Sequence, residues 1–192
     1  NGNHASRVFY MGPGVTADLR GLTITNGYDS QGGGICNLGN LTVQASTVTG
    51  NATYGNGDAG DGGGIYSNGT LLVMTTTVSS NSVLDNIYWA AGGGICASGT
   101  ATVVSSTISG NQLSSTREHG HSRGAGICNF AGAMTVVNST ISGNSAWASS
   151  STDWADCLGG GISQVYAGSM WIVNCTVSGN SISAGGPDPT LD

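Results

Sequence analysis

Gly62–Asn81 reads GGGIYSNGTLLVMTTTVSSN, and the stretch before it, Gly32–Asn51, reads GGGICNLGNLTVQASTVTGN. The pattern returns at Gly92–Asn111 as GGGICASGTATVVSSTISGN. It opens as GAGI at Gly124–Ile127 and as GGGI again at Gly159–Ile162. One threonine marks the period: Thr47, Thr77, Thr107, Thr140 and Thr176 are 30, 30, 33 and 36 residues apart. A degenerate earlier copy ends in LTIT at Leu22–Thr25. Self-similarity at a fixed period is the signature of a repeat architecture, in which one unit cannot bury its own apolar face and stacking supplies the core.

Within a unit the apolar residues alternate with polar ones at period two, the strand signature. Three columns emerge: Val43, Val73, Val103, Val136 and Ile172; Val48, Val78, Ile108, Ile141 and Val177; Ile35, Ile65, Ile95, Ile127 and Ile162. Helical periodicity is missing, and Gly and β-branched residues dominate. One inward column per strand predicts an all-β, right-handed parallel β-helix of about five to six coils, with three short strands per coil stacked about 4.8 Å apart. The residues of the first column are expected in the core, and the marker threonines are expected to point away from it. Asn51, Asn81, Asn111, Asn144 and Asn180 recur at one turn and predict an amide ladder in which each side chain bonds the next coil or the turn backbone, because a stacked turn needs its polar groups satisfied. The chain reads as one domain over 1–192: a looser N-terminal coil at 1–27, regular coils at 28–180 and a tail at 181–192.

Composition narrows the partners. The chain has 192 residues, 34 Gly, only 7% charged residues and a formal net charge of −6. Its four basic residues are all Arg, too few to neutralise a run of phosphates, so nucleic acid is not an expected partner. No apolar stretch has the length of a membrane span, so membrane insertion is not expected. With 38% apolar residues regularly placed, the chain is not of the disordered class.

These units resemble the right-handed parallel β-helix repeat proteins of bacterial surfaces, which carry GGGIxNxGxLTVxxSTxSGN units. More distantly they resemble polymorphic outer-membrane proteins, whose repeats pair a GGAI-like motif with a short Asn-terminated one. The resemblance runs from about Gly21 to Asn180. It implies the β-helix fold and an extracellular or cell-surface location, and it supplies no catalytic residue.

Between each ladder Asn and the next glycine run lies a segment of variable length, read as a loop, and these loops stack into one edge. They hold Tyr54, Tyr88, Trp89, Trp147, Trp154, Asp153 and Asp156, a candidate glycan-binding edge, since loops on a rigid scaffold carry binding. They also hold Arg117, Glu118, His119, His121 and Arg123. Asp58 and Asp61 lie in GNGDAGDGG at Gly55–Gly63, which is similar to one copy of a Gly/Asp calcium repeat; such sites need tandem copies, so no metal and no cofactor is expected. Cys96 and Cys128 hold the same position in adjacent coils and are a candidate disulfide, and Cys157 and Cys175 could pair if the last loop folds back. Acceptor sequons at Asn40, Asn68, Asn138 and Asn174 mark possible glycosylation. Asn51 also heads a sequon but belongs to the ladder.

No capping unit is evident at either end. An open coil face presents apolar columns and unpaired backbone groups, so either further protein flanks the chain or copies of it stack head to tail, and the second is the expectation. The expected function is a non-enzymatic structural subunit of an extracellular or surface fibre. The alternative is an adhesin or glycan-binding module using the aromatic, acidic edge, followed by a polysaccharide lyase and by an ice-binding protein displaying its outward Thr and Ser rows.

Overall fold

The computed structural model describes residues 1–55, 59–84, 89–116, 120–150 and 155–185. Every strand pairing among them is parallel, and the chain winds as a parallel β-helix of six coils. Sheet A is Phe9–Met11, Ile35–Asn37, Ile65–Ser67, Ile95–Ala97, Ile127–Asn129 and Ile162–Gln164. Sheet B is Thr16–Arg20, Asn40–Gln44, Thr70–Met74, Ala101–Val104, Ala133–Val137 and Ser169–Val173. Sheet C is Thr23–Thr25, Thr47–Thr49, Thr77–Ser79, Thr107–Ser109, Thr140–Ser142 and Thr176–Ser178.

These three sheets are the ones the alternation predicts. Two more were not legible. Sheet D is Tyr28–Asp29, Ala52–Tyr54, Ser82–Leu84, Gln112–Ser115, Ser145–Ser149 and Ser181–Gly185, and sheet E is Ala59–Asp61, Trp89–Ala91, His121–Arg123 and Asp156–Leu158. Three strands per coil is therefore corrected to as many as five, and the segment read as a loop is strand at both ends. Its length varies, which breaks the period, but pairing with the coil above and below still fixes those ends in register. The expected domain limits shift for the same reason. Residues 9–25 pair in register with the second coil and form a regular first coil. Residues 181–185 are strand, not tail.

Repeated residues stack on themselves. Leu71 pairs with Leu41, Val73 with Val43 and Val103, and Ile108 with Val78 and Ile141. The three columns bury Val43, Val73, Val103, Val136, Val48, Val78, Ile108, Ile141, Ile35, Ile65, Ile95 and Ile127 completely. At about 1.5–3 kcal/mol per fully buried aliphatic side chain, these columns are the main stabilising term. A second cluster, with Val83, Ala90, Leu113, Ala146 and Ala148, fills the space under sheets D and E.

Two polar ladders lock the corners. The Asn ladder runs as expected, with each side-chain amide donating to the Oδ1 of the next Asn at 2.8–3.0 Å. It also donates to a backbone carbonyl of the preceding coil, as Asn81 does to Val48 O at 2.9 Å. The third glycine of the run makes room for it: a Cβ on Gly64 would lie 2.9 Å from Asn81 Nδ2. The first glycine turns the chain at φ +64 in Gly62, where a Cβ would meet Ile65 O at 2.4 Å. The second ladder consists of Ser46, Thr76, Ser106 and Ser139. Each accepting hydroxyl takes the backbone N–H of the previous member, at 3.1–3.3 Å.

The ends differ. At the first coil Gly2 donates its N–H to Thr25 O, His4 donates to Asn26 O, and Tyr28 donates to Ser6 O, so residues 2–6 cross the corner of sheets C and D. At the last coil Ile172, expected in the core, is 45% exposed, because no described strand follows it in sheet B. Val177 and Ile182 are likewise exposed. Among the described residues no helix is long and apolar enough to cross a membrane.

Candidate functional site

Apart from Asp18 and Arg20, which pair with each other on sheet B, the charged side chains of the described residues collect along the D–E edge. The edge begins at the first coil. Arg7 bridges Asp29 at 2.7 Å, and its guanidinium lies 5.5 Å from the centre of the Tyr10 ring. Burial raises the Asp29 carboxyl, but Arg7 and the Ser30 N–H outweigh it and hold the carboxyl below its ordinary range.

The residue three places before each glycine run forms one column. Trp89 pairs in register with His121, and His121 with Asp156. The His121 Nδ1 and Asp156 Oδ1 atoms are 2.6 Å apart, and Arg123 donates from Nη2 to Asp156 Oδ2 at 3.3 Å. The Trp89 ring lies 4.7 Å from the His121 ring, and the Arg123 guanidinium lies 4.8 Å from its centroid. Trp89 and Asp156 are thus brought together, joined by His121 and Arg123. Sequence reasoning placed those two residues on the edge without assigning them to the site. The signal was their fixed offset from the glycine run, since Gly92, Gly124 and Gly159 follow Trp89, His121 and Asp156 at the same distance.

The other expected aromatics do not join this cluster. Tyr54 stacks on Tyr28 with centroids 4.5 Å apart, in the first two coils. Trp147 projects from sheet D in the fifth coil and is 41% exposed. Tyr88, Asp153, Trp154 and Asp58 lie outside the described residues, as do Arg117, Glu118 and His119.

Asp61 is buried. Its Oδ2 accepts from Gln31 Nε2 at 3.4 Å, and its Oδ1 has no hydrogen-bond partner. Burial, opposed only weakly by Gln31, raises its pKa to about 6. Among the described residues no three His, Cys, Asp or Glu side chains are grouped to hold a metal ion.

The expected disulfides are corrected. Cys96 and Cys128 are register partners, yet both are buried free thiols. In parallel neighbours the two Cβ atoms project side by side at the strand spacing, beyond the usual Cβ separation of a disulfide. Burial and the neighbouring thiol push the Cys96 thiol well above its ordinary value. Cys157 and Cys175 are also free; Cys157 lies in sheet E and Cys175 in the turn between sheets B and C. Cys175 occupies the hydroxyl-ladder position in the last coil, where its Sγ accepts the Ser139 N–H at 3.5 Å. Cys157 instead points its thiol at Ser183 O, 3.1 Å away. Asn40, Asn68, Asn138 and Asn174 are all exposed, whereas Asn51 is buried in its ladder.

Comparison with known protein families, curated proteins and solved structures finds no match to this chain.

Proposed function

We propose that the chain is a non-enzymatic structural unit of an extracellular or cell-surface fibre, which grows when one β-helix docks end-on against the next. The observation that carries this reading is the last coil. Ile172, Val177 and Ile182 continue columns that are buried in every earlier coil from the second on, yet they are 45–54% exposed. A face of this kind offers apolar side chains together with the unpaired edge groups of four strands. The edge strands Phe9–Met11 and Thr16–Arg20 at the other end belong to the same sheets A and B and have matching inward positions. A second copy is the occupant this reading assigns, since docking it repeats along sheets A and B the contact already made between coils, with residues 2–6 of the next copy meeting the C–D corner. Such a contact is heterologous and does not close, so it builds a polar filament. Six coils at about 4.8 Å give an axial rise of roughly 29 Å per subunit.

Negative-stain microscopy and light scattering test this with the wild-type chain and Ile172→Lys. Unbranched rods that the substitution reduces to monomers of unchanged circular dichroism support the reading. A wild-type chain that stays monomeric at high concentration overturns it.

Glycan binding along the D–E edge is the second reading, favoured by the exposed ring of Trp147. Trp89 contributes less to it, because His121 and Arg123 pack against its ring.

A further inference from the structure

Sheet C carries two columns of side chains on its outer face. The first is threonine in all six coils: Thr23, Thr47, Thr77, Thr107, Thr140 and Thr176. The second is Thr25, Thr49, Ser79, Ser109, Ser142 and Ser178. The inward residues between them are the Ile24-to-Val177 core column, so both columns face solvent.

What separates this face from ordinary strand chemistry is how its hydroxyls are used. One residue before each strand, Ser46, Thr76, Ser106 and Ser139 each donate to a carbonyl two residues back at 2.8 Å. They also accept or complete the hydroxyl ladder. The fold therefore consumes that row entirely. Among the described residues none of the six hydroxyls of the first outer column has a partner, and in the second column one bond occurs, from Ser79 Oγ to Thr49 Oγ1 at 3.3 Å. No charged residue stands in either column. The turn after each strand from the second coil onward is Gly50, Ser80, Gly110, Gly143 or Gly179, all at positive φ, so no long side chain rises beside the second column.

The result is a mesh of hydroxyls held by register. Its rungs repeat at about 4.8 Å across the strands, and its two columns lie about 6.6 Å apart along them. Sheets normally twist, and stacking on identical side-chain ladders opposes that twist. The rung spacing is close to the shorter oxygen repeat on the prism face of hexagonal ice. Waters bonded to the hydroxyls are held where an ice layer would place them, while the Thr methyl groups hold off water that would bond elsewhere. Because the scaffold is rigid, the face itself gives up little freedom when those waters become ordered.

We propose that the outer face of sheet C binds ice, with the Thr23-to-Thr176 column as its main contact and the Thr25-to-Ser178 column completing the plane. This proposal does not depend on end-to-end assembly. It is tested by thermal hysteresis and by partition of the fluorescently labelled chain into a growing ice hemisphere, using wild type, Thr107→Tyr in the centre of the face and Leu72→Tyr on the outer side of sheet B. The expected result is incorporation and faceted crystals for wild type and Leu72→Tyr, and loss of most of the hysteresis for Thr107→Tyr with unchanged circular dichroism and unfolding midpoint. Exclusion of the wild-type chain from ice overturns the proposal, and so does equal activity of Thr107→Tyr. An oligomer that Thr107→Tyr dissolves, without ice activity in wild type, overturns it in favour of a lateral interface between copies.

Discussion

Ile24 and Val177 stand at opposite ends of one column, in the first and last strands of sheet C, and they fare differently. Ile24 is fully buried, and Val177 is 52% exposed. Residues 2–6 cross the first coil at this corner, where Gly2 approaches so closely that a Cβ would come within 2.7 Å of Asn26 O. Val8 and Phe9 pack against the core from the same end. Nothing comparable lies over the last coil among the described residues. Two aliphatic residues with the same register and the same inward orientation thus have opposite environments. In a solenoid, burial belongs to the pair of neighbouring coils and not to the residue, as expected where stability is a sum of unit and nearest-neighbour terms.

The largest effect that can break this comparison is a charge in the column. Val103→Asp places an unpaired carboxylate between Val73 and Val136 and should cost about 4 kcal/mol or more, enough to abolish the cooperative transition. Val177→Asp on the open face should cost less than about 1 kcal/mol in the isolated chain. Urea denaturation followed by circular dichroism measures both. Similar losses for the two would mean that the last coil is covered in solution.

The Asn ladder sharpens the contrast at intermediate size. The Asn111 amide donates to Val78 O and to Asn144 Oδ1, and its Oδ1 accepts from the N–H and the side-chain amide of Asn81. Asn111→Ala strands buried groups in two coils and should destabilise by about 3 kcal/mol, against about 1 kcal/mol for Asn180→Ala, which has a coil on one side only. The check is the denaturation midpoint at unchanged slope. Equal midpoints would show the ladder to be dispensable.

Carboxyls give the smallest and most pH-specific version. Asp61 is enclosed, whereas Asp156 is one-third exposed and shared between His121 and Arg123. The folded pKa of Asp61, about 6, lies above its ordinary 3.8, so between those values the folded state holds more protons than the unfolded one. Stability from this group therefore falls as pH rises from about 4 to about 6 and stays reduced above that. Asp61→Asn removes the penalty and should stabilise the chain at pH 7 by roughly 3 kcal/mol, with little effect at pH 4. Midpoints measured at the two pH values decide it, and an equal gain at both would place the cause outside ionisation.

The sequence by itself determined the coil, the three main sheets, which residues face inward and the Asn ladder. In a parallel stack each position touches its own equivalent one repeat away, so a structural role is written several times over and shows as a column. Val43 to Val136 and Asn51 to Asn180 were legible for that reason. Only the tertiary structure decided where columns are short or are interrupted by segments of varying length. Sheets D and E, the Trp89–His121–Asp156–Arg123 cluster and the enclosure of Asp61 arise there, because pairing across coils fixes residues that the sequence period no longer aligns. It also showed what Cys175 does in the hydroxyl-ladder column, where its Sγ accepts the Ser139 N–H as the hydroxyls do elsewhere. It also decided the ends, where Ile172 and Val177 follow the pattern of the core but no further coil covers them among the described residues.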